Sequence, residues 1–327
     1  MVQQAAHSHD GSQHWDDWQA ARSQSGDCFT DWGDHPSILA LVCQQAFKSS
    51  QTGILDFLKG QFPPANTRAA LSLCSGDGGF EQLLLSSGIF TRLTGIDFSP
   101  ARVELAMQSR GEHEPRLSFF VGDVNSGDFG DHTYDVVFAK AALHHVEQLE
   151  TLFEGIRRCL RPGGKLVTLD FFGPTRFQWT DAQLEATNHF LATGIPDSLL
   201  EKRDGSFHRH MARPAVADMI SMDPTEAVRS GELHALLKSN FSIEHDLELG
   251  GTLLNLIFYG DVVNNFDPEN EFHNQIIKTA FDYERSLIES GHIGSDFRLI
   301  IASAKPSAEA PRKKSWKTRL HDTLLMR

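Results

Sequence analysis

Between residues 69 and 172 the chain alternates between two hydrophobic periods, and this alternation constrains the fold more than any other feature. Short apolar runs stand at 69–73, 91–96, 117–121, 134–139 and 165–172. Runs of this length, bounded by turn residues, read as buried strands. Most of the intervals, 79–86, 100–109 and 149–160, carry helical spacing instead. Strands alternating with helices imply a parallel sheet covered on both faces. Such a sheet binds its ligand in the crevice outside the carboxyl ends of its strands. The expected fold class is therefore α/β.

The flanks divide the rest. Residues 1–65 read as a polar tail followed by a helical cap. In the cap Ile38, Leu41, Val42, Ala46, Ile54, Phe57 and Leu58 recur near helical spacing, and Pro63 and Pro64 stop it. His7, His9 and His14 fall in the polar part and read as solvated. Residues 66–172 form the core. Residues 173–240 hold no obvious strand and are rich in aromatic, His and Arg residues, so they read as an inserted lid over the carboxyl edge. Residues 241–305 return to the sheet with strands at 241–247 and 296–304 around a long helix near 269–290. Residues 306–327 form a basic tail.

Charge and cysteine usage narrow the partners. The 327 residues carry a formal net charge of −13. The segment 305–327 has seven basic residues against two acidic ones, a net +5, which leaves −18 for the remainder. A body so acidic repels nucleic acid, so no nucleic-acid partner is expected. In the tail Trp316, Leu320 and Leu324 fall at spacing four among basic residues, a pattern suited to an anionic membrane or an acidic partner. No window of about 18 apolar residues appears, and residues 1–11 lack the pattern of a signal peptide. Cys28, Cys43, Cys74 and Cys159 have no C-x-x-C spacing. They imply neither a disulfide framework nor a zinc site, and they suit a reducing cytoplasm. No metal ligand set is expected.

The chemistry concentrates at the strand ends. After the first strand comes Cys74-Ser75-Gly76-Asp77-Gly78-Gly79, where small residues let a ligand approach the backbone and a helix N-terminus favours electron-rich groups. Cys74, Gly76 and Gly79 hold the places of G-x-G-x-x-G. Asp97 ends the second strand, placed to accept from ribose hydroxyls, while Ser99-Pro100 can cap the next helix. These features alone fit a dinucleotide as well as other adenosine ligands. Gly122-Asp123-Val124 then follows the third strand, Ala141-Ala142-Leu143-His144-His145-Val146 the fourth, and Arg161-Pro162-Gly163-Gly164 leads into the fifth.

With these motifs in this order, the sequence resembles the class I S-adenosylmethionine-dependent methyltransferases, closely over 66–172 and loosely at the end. The resemblance implies a Rossmann-like sheet of seven strands, the last antiparallel. It implies S-adenosylmethionine as cofactor, with Cys74, Ser75, Gly76, Asp77 and Gly78 along its methionine part. Asp97 would hold the ribose, Phe98 would lie beside the adenine, Asp123 and Val124 would hold the adenine, and Ala139 and Lys140 would pass it. Two positions depart from the family: Ser72 stands where an acidic residue is common, and Cys74 where glycine is common. Asp77 or Glu81 can supply the missing carboxylate for the cofactor's ammonium. Asp31–Pro36, 173–180 and 223–230 look like a bacterial subgroup of the family, which names no substrate.

Methyl transfer needs alignment more than acid or base chemistry, but a hydroxyl or ammonium acceptor must lose a proton. His144 and His145 stand where the fourth strand delivers residues, so they are the expected bases. Phe172, Arg176, Trp179 and Tyr259 are the expected acceptor-side residues, and Arg203, Arg209, Arg213 and Arg229 are further anion-binding possibilities. The expected function is methyl transfer to a small-molecule acceptor. Transfer or cyclisation of the aminocarboxypropyl group, releasing methylthioadenosine, is the alternative reading of the altered turn. A non-catalytic binding protein is the third.

Overall fold

The computed structural model describes residues 14–16, 28–48, 53–62 and 68–305. The expectations for His7, His9, Pro63, Pro64 and the basic tail lie outside these residues. The strands are β1 Ala69–Leu73, β2 Arg92–Asp97, β3 Leu117–Val121, β4 Tyr134–Lys140, β5 Leu160–Phe171, β6 Phe241–Gly250 and β7 Phe297–Ala304. The helices of the amino-terminal half are α1 Pro36–Phe47, α2 Ile54–Gln61, α3 Gly79–Ser86, α4 Pro100–Ser109 and α5 Leu149–Cys159. Those of the carboxyl-terminal half are α6 Asp181–Gly194, α7 Val216–Met222, α8 Leu233–Asn240, α9 Leu254–Ile257 and α10 Glu271–Glu289.

All seven strands join one sheet in the order β3-β2-β1-β4-β5-β7-β6. β1 pairs in parallel with β2 on one side and β4 on the other, and β7 runs antiparallel to both β5 and β6. The chain order thus reverses between β1 and β4. Connections leave to opposite faces there and open a crevice at the carboxyl ends.

Period-two alternation sends neighbouring side chains to opposite faces. Val136 and Phe138 of β4 enter one core with Ile38, Leu58, Leu84 and Phe90, whereas Val137 and Ala139 enter the other with Phe153, Ile156 and Phe241. The first core continues into the segment between β6 and β7, through Leu253, Phe258, Phe266 and Ile277. Two inserted segments, 172–240 and 251–296, therefore form a roof on this first core. β5 begins at Leu160, five residues before the apolar run. Leu160 already pairs with Tyr134, and the Pro-Gly-Gly turn is absorbed as a register shift before Val136 pairs with Lys165. α8 closes the first insertion by packing Leu233 and Leu237 onto the sheet's second core.

Asp296 enters this roof buried, accepting a 2.9 Å hydrogen bond from Gln183 Nε2. Burial, then the neighbouring Glu284 carboxylate, pushes its value up to about 7. The folded protein therefore binds this proton more tightly than the unfolded chain. The stabilisation is complete below the ordinary carboxylate value and disappears as pH rises through about 7. In urea denaturation Asp296→Asn is expected to gain on the wild type by on the order of 3 kcal/mol as pH rises from 5 to 8.

Candidate active site

β1 ends in a turn that needs left-handed backbone at three alternate residues. Cys74, Gly76 and Gly78 have φ of 51°, 57° and 80°. Glycine adopts this region freely, and Cys74 does so at a steric cost of about 1–2 kcal/mol. At Gly78 the space that a Cβ would need is held by Phe119, 2.6 Å away. The turn therefore closes tightly against β3, and the Ser75 amide ties it to β2 by donating to the Ile96 carbonyl at 3.0 Å.

Asp97 is buried and joins the first two strand ends. Its Oδ2 accepts from the Gly76 amide at 2.8 Å and its Oδ1 from the Ser99 amide at 3.0 Å. Ser99 caps α4 by accepting from the Arg102 amide at 3.1 Å, so cap and carboxylate both act here. Phe98 beside it is half-buried. Asp123 after β3 stays exposed, accepts at Oδ1 from the Asn125 amide and side chain at 2.9 Å, and precedes the buried Val124. Ala139 is buried, and Lys140 sets its ammonium 5.7 Å from the Phe80 ring centre. Burial pushes the Cys74 thiol far up, the charges of Asp97, Asp170 and Asp123 add to this, and that of Arg102 opposes it. Those four charged groups thus surround one point at the carboxyl ends of β1–β5.

The missing acid at Ser72 is answered one helix away. The Ser72 hydroxyl donates to Glu81 Oε1 at 2.6 Å. Glu81 is 2% exposed, its Oε2 has no hydrogen-bond partner among the described residues, and burial pushes its value up to about 7. The Ser75 hydroxyl is likewise buried without a partner. A buried polar atom without a partner costs about 1–3 kcal/mol unless a ligand satisfies it. Both atoms flank the turn that the cofactor's tail would follow, so the residues present fit it. Asp77, by contrast, accepts from the Gly79 amide at 3.2 Å and is exposed.

At the end of β4 the chain bends through Ala141, φ 48°, into a single turn over Leu143–His145. Asp170 at the end of β5 organises this bend. It accepts from the amides of Ala142, Leu143 and His144 at 2.9, 2.7 and 3.4 Å, and from His144 Nδ1 at 2.6 Å. The first insertion closes the other side with the loop 223–228. The Val228 amide donates to the His144 carbonyl at 3.0 Å, Thr225 Oγ1 lies 3.2 Å from His145 Nδ1, and Glu226 Oε1 lies 3.6 Å from His144 Nε2. Burial alone would push both imidazoles down. For His144 the Asp170 charge and hydrogen bond, with Glu226 and Asp223, outweigh burial and hold it up at about 9. His145 is driven well below the ordinary value by burial, His144 and Arg102.

Residues 14–16, expected to be solvated, cover these histidines. Trp15 meets His145 edge-on at 5.2 Å, the Arg102 guanidinium lies 4.9 Å from the Trp15 ring centre, His14 Nε2 approaches Asp223 at 3.7 Å, and Asp16 accepts from the Ser99 hydroxyl.

The acceptor-side expectations divide. Arg176 does not present a free guanidinium: it donates to the carbonyls of Asp223, Pro224 and Glu226 at 3.5, 2.7 and 3.0 Å, and so holds the 223–228 loop. Arg209, Arg213 and Arg229 are paired with Asp197, Asp181 and Glu150. Trp179 is 2% exposed and stacks on Phe177 at 5.3 Å, so it forms roof core. Phe172 packs edge-on against His234 at 6.1 Å on the second core, whereas Phe171 turns toward His144 at 6.3 Å. Tyr259 is exposed and stacks on His208. The residues passed over in the sequence are Asp170, Asp223, Thr225 and Glu226. Asp170 had a visible signal, a carboxylate inside the apolar run Leu169-Asp170-Phe171-Phe172 at a strand's carboxyl end.

Residues 71–168 match the family described as a methyltransferase domain. They are a class I S-adenosylmethionine-dependent methyltransferase domain. Over 106 residues, 32% of the chain, the sequence is 32% identical to 2-phytyl-1,4-naphtoquinone methyltransferase of Thermosynechococcus vestitus, covering 47% of it. Over 109 residues, 33% of the chain, it is 29% identical to phosphoethanolamine N-methyltransferase 2 of Caenorhabditis elegans, covering 24% of it. The chain thus spans less than half the length of these relatives. Among solved structures, the [4+2]-cyclase SpnF aligns with a TM-score of 0.51 and 12% identity over 93% of this chain and 98% of that one, a likeness of fold. The family's cofactor is S-adenosylmethionine. No described helix of the chain is long and apolar enough to cross a membrane.

Proposed function

We propose that this protein transfers a methyl group from S-adenosylmethionine to a small-molecule acceptor, leaving S-adenosylhomocysteine. One observation carries the reading: the cofactor turn and the His144–His145 bend meet at the sheet's switch point under a shared cover. That cover is residues 14–16 together with the loop 223–228. A covered site of this kind suits a small acceptor better than a polymer. The two relatives act, by their names, on a naphtoquinone and on phosphoethanolamine, which supports a small acceptor here.

When bound, S-adenosylmethionine supplies a methyl group on a sulfonium that carries its own leaving group. The chain's part is placement. Asp97 holds the ribose and at the same time fixes the Gly76 amide, so the turn and the nucleoside are set by one side chain. Cys74, Ser75 and Gly78 line the tail, Glu81 Oε2 receives its ammonium, and Asp123 and Val124 border the adenine. Asp170 fixes the His144 ring, and with His145 it forms the polar wall against which the acceptor's proton-bearing atom rests. The cover excludes water.

Incubation with S-adenosylmethionine and a panel of small phenols, amines and carboxylates, read by the nucleoside released, tests the proposal. S-adenosylhomocysteine supports it. Methylthioadenosine assigns the aminocarboxypropyl alternative, and failure to bind the cofactor in calorimetry assigns the non-catalytic one. Replacing His144 and His145 together by Ala is expected to lower kcat by about 10²–10⁴-fold, with the cofactor Kd within about twofold. Unchanged kcat removes the pair from the reaction.

A further inference from the structure

We propose that His144, His145 and Glu226 form a binding site for one divalent transition-metal cation, beside the methyl-transfer position. Each residue brings one donor atom to within 4.8 Å of the other two. His144 Nε2 and Glu226 Oε1 stand 3.6 Å apart. Ligands of a tetrahedral cation bonded at about 2.1 Å lie about 3.4 Å from one another, so this pair already has coordination spacing. The third donor, within 4.8 Å of both, needs a shift of at most about 1.4 Å to reach that spacing.

The ring of His144 is prepared for this role. Its Nδ1 meets Asp170 Oδ1 at 2.6 Å, and Asp170 is itself fixed by four backbone amides, those of Ala142, Leu143, His144 and Phe171. A carboxylate on one imidazole nitrogen sets the tautomer and aims the other nitrogen's lone pair outward, the usual support behind a metal-ligating histidine. That outward nitrogen is the one facing Glu226. Asp170, Asp223 and Glu226 put three carboxylates within reach of the two rings, against the guanidinium of Arg102 nearby. A divalent cation entering there offsets that negative charge. Two imidazoles and one carboxylate favour zinc, cobalt, iron or manganese over magnesium or calcium, which prefer all-oxygen sets. Three protein ligands leave a position open, so the cation would hold an oxygen of the acceptor. The acceptor class is then a small molecule with a hydroxyl or carboxylate donor. The ligands come from residues 144–145 and 226, on the core and on the insertion, which is why no ligand spacing shows in the sequence.

The inference deepens the proposed function and rests on it for the acceptor's position. Full-length protein stripped with chelator, then dialysed against zinc with bound metal counted by mass spectrometry, provides the test. Wild type is expected to hold one equivalent that Glu226→Gln and His145→Asn each weaken at least tenfold. Asp170→Asn, a positioning change, should weaken it about 10–100-fold. His273→Ala, in the first turn of α10, should leave it unchanged. S-adenosylhomocysteine calorimetry on the same samples checks that each variant is folded. Absence of a bound equivalent, or equal binding by wild type, Glu226→Gln and His145→Asn, overturns the site while cofactor binding and methyl transfer stand. Loss of cofactor binding with zinc retained overturns the proposed function instead.

Discussion

Glu81→Gln is expected to weaken S-adenosylmethionine binding by about 10–100-fold at pH 8, the value of roughly 1.5–3 kcal/mol for a hydrogen bond to a charged group. The carboxylate is 2% exposed, one oxygen is taken by Ser72 and the other has no partner among the described residues. Burial holds its value at about 7, although Ser72 and the charge of Lys140 favour the ionised form. An ammonium arriving at Oε2 binds the ionised carboxylate. Above about 7 that form is present before binding, and below it a proton must first leave. Wild-type affinity should therefore fall on acidification, approaching tenfold per pH unit well below the free-state value. The Gln variant has no proton to lose, so its affinity stays flat and meets the wild type near pH 5.5. Calorimetry between pH 5.5 and 8.5 gives both curves. Equal, flat curves would place the ammonium elsewhere, with Asp77 the next residue to change.

Asp170→Ala should cost about 3–5 kcal/mol of stability, because it removes one partner from a buried charged network. The amides of Ala142, Leu143 and His144 lose their acceptor, and the His144 ring loses its restraint. A folded domain has about 5–15 kcal/mol in total, so the variant approaches the limit of folding. Asp170→Asn keeps one acceptor oxygen and should lose less. Urea denaturation of the two variants orders the effects. An Asp170→Ala protein within 1 kcal/mol of wild type would mean that the bend is held by the loop 223–228 instead.

The contrast between Asp97 and Glu226 shows how far the sequence could be read. Asp97 was legible because its role is local: it ends a strand, a fixed distance after a Gly-rich turn, and both neighbours are set by the same βαβ unit. The seven strands were legible for the same reason, since a buried strand writes its period into consecutive residues. Ser99 declared its cap by standing before Pro100. Glu226 has no local signature. It reaches His144 only because α8 packs onto the sheet and Arg176 grips the carbonyls of residues 223, 224 and 226. Arg176 itself looked like a ligand for an anion and proved to be a clamp, because a guanidinium's partners cannot be told from its position in the chain. Trp179 and Phe172 looked like pocket walls for the same reason, and they pack away from the histidines.

The sequence by itself determined the α/β sheet and the Gly-rich turn at its carboxyl edge, and it pointed to the residues proposed to meet the cofactor, because each depends on hydrophobic period and turn chemistry within a few tens of residues. Only the tertiary structure decided what surrounds the bend after β4. It brought Trp15, Asp170 and the loop 223–228 around His144 and His145, and it set Glu81 behind Ser72. Those contacts join elements up to about 200 residues apart, and they are selected by packing and by the need to satisfy buried charges, neither of which leaves a periodic mark in the chain.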